Sequence, residues 1–254
     1  MEHITSRKNR LIVHLRALGS DRDYRREAGA YLCDGEKLLR EALACGADVE
    51  EILCSRPLDM KLPDSVRQYS APEELLEYVS PLKSSRGPVF SVRIETQPPA
   101  ALRHAILLEN VQDPGNVGTV IHTANAFGID AVILTGECAD PYNFKTVRAA
   151  MGALLRQRVT ETDLSSAVRL LRDNGLKLYG AALSKAAQDV RSIDLRGAAV
   201  AVGSEGQGLS RELLAMCDGE IVIPMMAHSE SLNAAVAASL LMWEMNGGEL
   251  PCPC

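Results

Sequence analysis

Beyond residue 100, short apolar runs alternate with longer segments in which apolar residues recur at helical spacing. The apolar runs predict strands at residues 105–108, 131–134, 177–181, 198–202 and 220–223. The longer segments predict helices at residues 116–127, 144–155, 164–174 and 232–245. This alternation predicts an α/β fold with a largely parallel sheet and helices on both faces, in which ligands bind at the carboxyl ends of the strands.

The first third of the chain predicts a separate, small α/β unit. Its hydrophobic spacing indicates helices at residues 9–18, 36–45 and 72–79 and strands at 30–33 and 49–54, with a basic turn after the first helix. The segment Gln97-Pro98-Pro99-Ala100 has the composition of a linker. We therefore predict two domains, at residues 1–96 and 97–254.

The last predicted helix, residues 232–245, is apolar on nearly every side. Asn233, Ser239 and Glu244 are its only polar residues. Such a helix must be buried on most of its surface, which favours packing against its own domain and against a second copy of the chain. A membrane-spanning helix is the alternative, but the segment is too short and carries an amide and a carboxylate.

Composition narrows the class of protein. Hydrophobic residues make up 46% and charged residues 24% of the 254 positions, as in a globular protein, and residues 1–16 lack the pattern of a secretory signal. We expect a cytoplasmic protein with no membrane partner. The seven cysteines form no CxxC pair, which predicts reduced thiols and no metal site. Cys252-Pro-Cys254 could capture a metal, but a frayed end is the favoured interpretation.

The charge pattern bears on nucleic-acid partners. A net charge of −6 argues against a protein that coats nucleic acid non-specifically, yet residues 1–30 carry a local excess of positive charge that includes Arg7, Lys8 and Arg25. Such a patch can engage phosphates even on an acidic protein. A solvated helix face would account for the same charges.

Three segments that follow predicted strands could carry chemistry. The first runs from Glu109 to Gly118, where Pro114-Gly115 sets a turn and Asn116 stands in a helix-capping position, which is also its purely structural explanation. The second is Gly203-Ser204-Glu205-Gly206-Gln207-Gly208-Leu209. Its glycines allow close approach of backbone to a ligand, while the spacing matches neither a Walker loop nor a dinucleotide fingerprint. A carboxylate in its middle suits a cationic or hydroxyl-bearing ligand.

The third segment is Ile223-Pro224-Met225, continued by a polar loop to Ser231-Leu232-Asn233 at the start of the apolar helix. Ser231 is a candidate helix cap. Asn233 needs hydrogen-bond partners on a helix that is otherwise apolar, so it either stabilises the structure or lines a site.

In this order and spacing, the three segments resemble motifs 1, 2 and 3 of the SpoU/TrmH branch of the SPOUT superfamily. The stretches Thr5-Ser6-Arg7-Lys8-Asn9 and Tyr31…Asp34-Gly35-Glu36-Lys37-Leu38-Leu39 resemble that family's RNA substrate-binding domain, which has a ribosomal-protein-like fold, with Asp34 where the family often has Glu. The resemblance covers nearly the whole chain.

The resemblance implies an RNA ribose 2′-O-methyltransferase that uses S-adenosylmethionine, acts on ribosomal RNA and needs no metal. It also implies a C-terminal domain folded around a trefoil knot and a homodimer in which the second subunit completes the site. By the same resemblance, Gly203, Ile223 and Leu232 hold the adenosine part of the cofactor. The matching active-site positions are Asn116, Glu205, Ser231 and Asn233.

The sequence departs from the family at one position. The family usually has arginine six residues after the first asparagine, as Ile-Arg-Thr-Ala, whereas this chain reads Ile121-His122-Thr123-Ala124. His122 could serve as the general base, because imidazole exchanges a proton near neutral pH. Alternatively, loss of the arginine leaves a weakened or inactive RNA-binding relative.

Two further alternatives concern the partner and the activity. Arg148 lies in a segment similar to the family's Arg-Ala-x-x-Gly-Ala, where it either contacts phosphate or offsets a helix dipole. A transfer RNA substrate is the alternative to ribosomal RNA, and no DNA partner is expected. A nucleotide-dependent dehydrogenase is excluded by the glycine spacing.

Overall fold

The computed structural model describes residues 2–95, 101–226 and 231–247 of the chain. Within them the strands are β1 (Glu2–His3), β2 (Ala30–Asp34), β3 (Val49–Cys54), β4 (Arg67–Ser70), β5 (Val89–Arg93), β6 (Ala105–Glu109), β7 (Ala131–Thr135), β8 (Val159–Glu161), β9 (Lys177–Ala181), β10 (Gln188–Asp189), β11 (Ala198–Gly203) and β12 (Gly219–Val222). The α-helices are α1 (Arg10–Ser20), α2 (Arg22–Ala28), α3 (Glu36–Ala44), α4 (Glu73–Val79), α5 (Pro114–Ala126), α6 (Phe144–Ala149), α7 (Leu164–Asp173), α8 (Arg211–Met216) and α9 (Ala234–Met245).

The chain divides into two compact units. Unit 1 is Met1–Gln97 with Tyr142–Leu155, and unit 2 is Pro98–Pro141 with Arg156–Cys254. The predicted domains, 1–96 and 97–254, remain a prediction; by its contacts, the segment Tyr142–Leu155 groups with unit 1 instead. The predicted linker at 97–100 and the tail cysteines Cys252 and Cys254 lie outside the described residues.

Unit 1 is built on a mixed five-stranded sheet in the order β1-β4-β3-β5-β2. Helix α1 begins at Asn9, whose side chain accepts a hydrogen bond from the backbone N–H of Leu11, and it buries Leu11, Leu15 and Leu18. The predicted basic turn is in fact helix α2. Asp21 caps its first turn, and Gly29 ends it in the left-handed conformation that glycine adopts without strain.

The predicted helix at 144–155 is wrong at its C-terminal end. Helix α6 stops at Ala149, because Met151 and Gly152 have φ values of 49° and 87°, outside the helical region. A short 3₁₀ turn, Ala153–Leu155, follows.

Unit 2 is built on a seven-stranded sheet in the order β10-β12-β9-β11-β6-β7-β8, and all its strand pairs are parallel. On one face, Ala105 and Leu107 of β6 pack with Leu171 of α7 and Leu213 of α8. Alternate strand residues point to opposite faces, so Ile106 and Leu108 face the other side, where they are fully buried and where α5 and α9 contact the sheet. The predicted parallel sheet with helices on both faces is confirmed.

Within the described residues, no helix is both long enough and apolar enough to span a bilayer.

Candidate active site

The site lies at the carboxyl edge of the unit 2 sheet. Strands β6 and β11 pair in register there, with Glu109 opposite Gly203. The three loops singled out in the sequence leave β6, β11 and β12 at this edge. The general rule for open parallel sheets, that ligands bind beyond the carboxyl ends of the strands, therefore applies to these loops.

Three polar side chains, one from each loop, form a hydrogen-bonded trio: Asn116, Glu205 and Asn233. The side-chain amide of Asn116 donates to Glu205 Oε1. The side-chain amide of Asn233 donates to Asn116 Oδ1 at 3.0 Å and to Glu205 Oε1 at 3.3 Å. Glu205 and Asn233 thus contact Asn116 although they lie 89 and 117 positions from it in the sequence.

The backbone fixes the orientation of the Asn233 amide. Asn233 is the N-cap of α9, and its Oδ1 accepts hydrogen bonds from the backbone N–H groups of Ala235 (3.0 Å) and Val236 (3.2 Å). With the oxygen used in capping, Nδ2 is left to donate to the trio. Asn233 therefore has a structural role as the cap of α9, and its amide also joins the trio; its part in a functional site stays a prediction.

Two capping predictions are wrong. The N-cap of α5 is Asp113, whose side chain accepts from the backbone N–H of Asn116 at 2.9 Å. Asn116 therefore sits inside the first turn, which frees its side chain for the trio. Likewise, Asn233 rather than Ser231 caps α9.

The glycine loop between β11 and α8 folds back on itself. The backbone N–H of Gly208 donates to the Ser204 carbonyl at 2.8 Å, and the two residues form an isolated β-bridge. A β-carbon at Gly203 would overlap the Gly208 carbonyl group, so only glycine allows this approach. Gly208 itself has a φ of +68°. Of the three glycines in the loop, Gly203 is thus needed for the close approach and Gly208 for its positive φ.

A cavity of about 550 Å³ opens beside this loop. All three predicted cofactor residues, Gly203, Ile223 and Leu232, line it, together with Glu205 and Ser231. Residues 181–184, which follow β9, also line the cavity and were not predicted from the sequence. Their position at the carboxyl end of a predicted strand would have pointed to them.

His122 does not join the trio. It lies six residues after Asn116 on α5, roughly 9 Å along the axis and about 120° around it. Among the described residues, the hydrogen bonds of the trio do not include its imidazole, and it does not line the cavity.

The predicted RNA-binding residues belong to unit 1 and fall into two groups. Arg7, Lys8 and Arg148 are exposed. Arg25 is only 2% exposed and donates to the Leu18 carbonyl at 2.8 Å. Its assignment to RNA is corrected, because a guanidinium held inside the unit cannot reach a phosphate.

The cysteines Cys138 and Cys217 and the possible metal-binding groups were also considered as chemical centres. Burial, reinforced by the carboxylates of Asp218 and Glu220, raises the pKa of the Cys217 thiol to about 11. Burial likewise raises the pKa of Cys138. Both therefore stay protonated at neutral pH and are poor nucleophiles. In the ranges that the structure describes, no group of three or more His, Cys, Asp or Glu residues could hold a metal ion.

Comparison with known proteins identifies the family. Residues 103–243 match the model of the SpoU rRNA Methylase family. The Bacillus subtilis (strain 168) protein named 23S rRNA (guanosine(2553)-2'-O)-methyltransferase RlmP is 33% identical over 249 residues, or 97% of this chain and 100% of that protein. The chain belongs to the SpoU rRNA methylase family. The predicted family is confirmed.

Solved structures agree with the fold of this SpoU family member. An AdoMet-bound rRNA methyltransferase from Sinorhizobium meliloti has a TM-score of 0.88 and 25% identity, covering 98% of this chain and 99% of the other. The SpoU methyltransferase AviRb from Streptomyces viridochromogenes, in complex with the cofactor AdoMet, has a TM-score of 0.83 and 25% identity, covering 94% and 98%. The predicted α/β fold is confirmed.

Proposed function

We propose that this SpoU methylase transfers a methyl group from S-adenosylmethionine to a ribose 2′-hydroxyl of ribosomal RNA. The observation that carries the proposal is the trio of Asn116, Glu205 and Asn233 beside the glycine-lined cavity. Family membership supports the methyl-transfer class, and the ribosomal RNA substrate of the Bacillus subtilis relative supports the choice of RNA.

The cavity suits S-adenosylmethionine in size and chemistry. A volume of about 550 Å³ falls within the range of small-molecule sites. Gly203 brings backbone to the cavity wall, while Ile223 and Leu232 offer apolar surface and backbone groups for an adenosine. The Glu205 carboxylate suits a cation. When bound, S-adenosylmethionine supplies an electrophilic methyl group on a positively charged sulfur.

The trio would orient the reacting groups. Glu205 Oε1 accepts hydrogen bonds from Asn116, from Asn233 and, at 3.5 Å, from the backbone N–H of Ala234. Its second oxygen accepts none within the described residues, so we assign it the role of facing the positive charge of the cofactor, which leaves the single hydrogen of the 2′-hydroxyl for the base. Ser231, which lines the same cavity, would hold the sugar from the other side. Such positioning supplies much of the rate of an in-line transfer.

The ribose hydroxyl must lose its proton as the new bond forms. We retain His122 as the candidate base. Because it does not contact the trio of its own chain, that role depends on a second copy bringing its α5 to the site.

A homodimer is therefore part of the proposal, supported by the surface of α9. Its inner side buries Ala235, Leu241 and Met242. Val236, Leu240 and Trp243, four and three positions apart, lie on the outer side and are 48%, 44% and 53% exposed. An apolar stripe of this kind, which we call the α9 stripe, is typical of an interface between subunits.

The RNA would be held by unit 1. Arg7 and Arg16 lie over the Tyr78 ring at 4.5 and 4.0 Å, and Arg16 also donates to the Tyr78 carbonyl at 2.6 Å. These stacked guanidinium groups, with Lys8 and Arg148, would contact phosphates. We also propose a trefoil knot in the C-terminal domain and a cytoplasmic location, because the family resemblance implies them.

An RNA-binding protein without activity is the second candidate, and His122 is the observation that favours it. The test is to incubate the protein with labelled S-adenosylmethionine and unmodified ribosomal or transfer RNA. Label in ribosomal RNA alone supports the proposal. Label in transfer RNA alone contradicts ribosomal RNA as the substrate. Binding of RNA and cofactor without any methyl transfer identifies an RNA-binding protein that lacks activity.

A further inference from the structure

A buried carboxylate lies behind the glycine loop and belongs to no part of the proposed chemistry. Glu109, the last residue of β6, is only 5% exposed. It neither joins the trio nor lines the cavity. A buried charge is costly unless its oxygens are hydrogen-bonded, so its partners indicate what it does.

Both oxygens of Glu109 bind a single residue, Ser210. The backbone N–H of Ser210 donates to Oε2 at 2.7 Å, and its hydroxyl donates to Oε1 at 2.7 Å. Ser210 is also the N-cap of α8, where its hydroxyl oxygen accepts from the backbone N–H of Leu213 at 3.1 Å. The carboxylate thus fixes the first turn of α8.

The same glutamate also marks the start of the loop. Gly203, the last residue of β11, is the register partner of Glu109 in the parallel pair β6–β11. Ser210 follows Leu209 at the end of the loop. Glu109 therefore contacts both ends of the loop that carries Glu205. Its backbone pairs with Gly203 in the sheet, and its side chain binds Ser210.

The closed conformation of the loop depends on the hydrogen bonds between Glu109 and Ser210. Gly203 and the backbone of Gly208 are in close contact, and Leu209, next to Ser210, is buried in the core with Leu213. If Ser210 moved away from β6, both contacts would loosen, and Glu205 would leave its position beside Asn116 and Asn233.

We propose that Glu109 is a positioning residue that holds the glycine loop closed, and so shapes both the S-adenosylmethionine cavity and the placement of Glu205. The inference rests on the proposed function of that cavity. Glu109 touches neither the cofactor nor the ribose; it acts through Ser210.

The experiment compares Glu109→Ala with Glu109→Gln in the full chain. Glutamine can accept from the Ser210 N–H and donate to its hydroxyl, whereas alanine removes the acceptor of both Ser210 groups in a partly buried position. We measure the Kd for S-adenosylmethionine by calorimetry and hydrogen–deuterium exchange of the 203–210 segment without ligand. Glu109→Ala should weaken binding by about tenfold or more and accelerate exchange, because the Ser210 N–H and hydroxyl both lose the acceptor that holds the end of the loop. Glu109→Gln, which keeps an acceptor for the Ser210 N–H, should change both clearly less than Glu109→Ala.

Asp163→Ala is the matched control for lost stability. Asp163 caps α7 through the N–H of Ser166 at 2.9 Å, and it lies outside the cavity. It should lower the melting temperature while leaving the Kd and the loop exchange unchanged. Ser210→Ala, which keeps the backbone hydrogen bond to Oε2, gives a second, milder test and should weaken binding less than Glu109→Ala.

The outcomes separate this inference from the proposed function. Wild-type affinity and wild-type loop exchange in Glu109→Ala overturn it, as does an equal loss of affinity in Asp163→Ala. If the wild-type protein binds no S-adenosylmethionine, the proposed function of the cavity fails. The loop exchange of Glu109→Ala against Glu109→Gln then still decides whether Glu109 closes the loop.

Discussion

At residue scale, Gly203 shows how the absence of a side chain shapes the site. A β-carbon there would overlap the Gly208 carbonyl group, which is backbone and cannot move aside without opening the loop. We therefore expect Gly203→Ala to weaken S-adenosylmethionine binding by at least about tenfold, in line with the cost of forcing atoms into a packed site. Calorimetric titration measures this directly.

Gly219→Ala is the control for that prediction. A β-carbon at Gly219 in β12 would meet the Tyr179 ring at 3.4 Å, an ordinary contact, and the residue does not line the cavity. It should bind the cofactor as the wild type does. Equal affinities in the two variants would show that the close approach at Gly203 is not needed.

His122 gives the second prediction at this scale. If it is the general base, His122→Ala should slow single-turnover methyl transfer by about 10²-fold or more, the usual contribution of such a group, while cofactor binding stays unchanged. A His122→Arg variant that is faster than wild type would contradict the role of base and favour the weakened relative.

At the level of single residues, the sequence indicated which side chains come together but not which of them cap the helices. The resemblance to the family's motifs grouped Asn116, Glu205 and Asn233, and in the structure they are hydrogen-bonded because their loops leave parallel strands at one edge of the sheet. The caps were misplaced because Asp113, Asn116, Ser231 and Asn233 are all good capping residues. Glu109 was read only as part of a motif, since its burial and its bond to Ser210 are tertiary facts.

At element scale, Asn233 both starts α9 and completes the trio, so the two roles can be separated by substitution. Asn233→Ala removes the cap and the trio contacts; we expect a loss of about 0.5–2 kcal/mol in unfolding free energy and a large loss of methyl transfer. Asn233→Ser keeps a capping oxygen but has no amide to donate. It should restore most of the stability and little of the activity. Recovery of both in urea unfolding and methyl-transfer assays would leave Asn233 as a cap only.

The accuracy of the element predictions followed the strength of the periodic pattern. Strands β6 and β7 were predicted to within one residue, because each begins with an uninterrupted run of four buried apolar residues. Helix α2 was missed because five of its seven residues are charged and only Arg25 is buried, which leaves no apolar stripe. Strand β4, with no buried residue, was missed for the same reason.

At the scale of the whole molecule, the α9 stripe predicts self-association. Leu240→Glu places a charge in the stripe and should convert a dimer into a monomer, because burying an unpaired carboxylate in an interface is strongly unfavourable. Light scattering coupled to size exclusion reports the mass. Val13→Glu, at a valine of unit 1 that is 55% exposed, is the control and should leave the mass unchanged. A wild-type monomer at working concentration would contradict the dimer, and with it the role of His122.

Three loops at one sheet edge form the proposed ribose methyltransferase site, and the position of the transferred methyl group distinguishes ribose methylation from base methylation. Unmodified ribosomal RNA is incubated with S-adenosylmethionine and either wild-type protein or Glu205→Gln, then digested to nucleosides for mass spectrometry. We predict one 2′-O-methylnucleoside with the wild type and a loss of at least about 10²-fold with the variant. A methyl group on a base would overturn the proposed ribose methylation, and equal product from both proteins would overturn the role of Glu205.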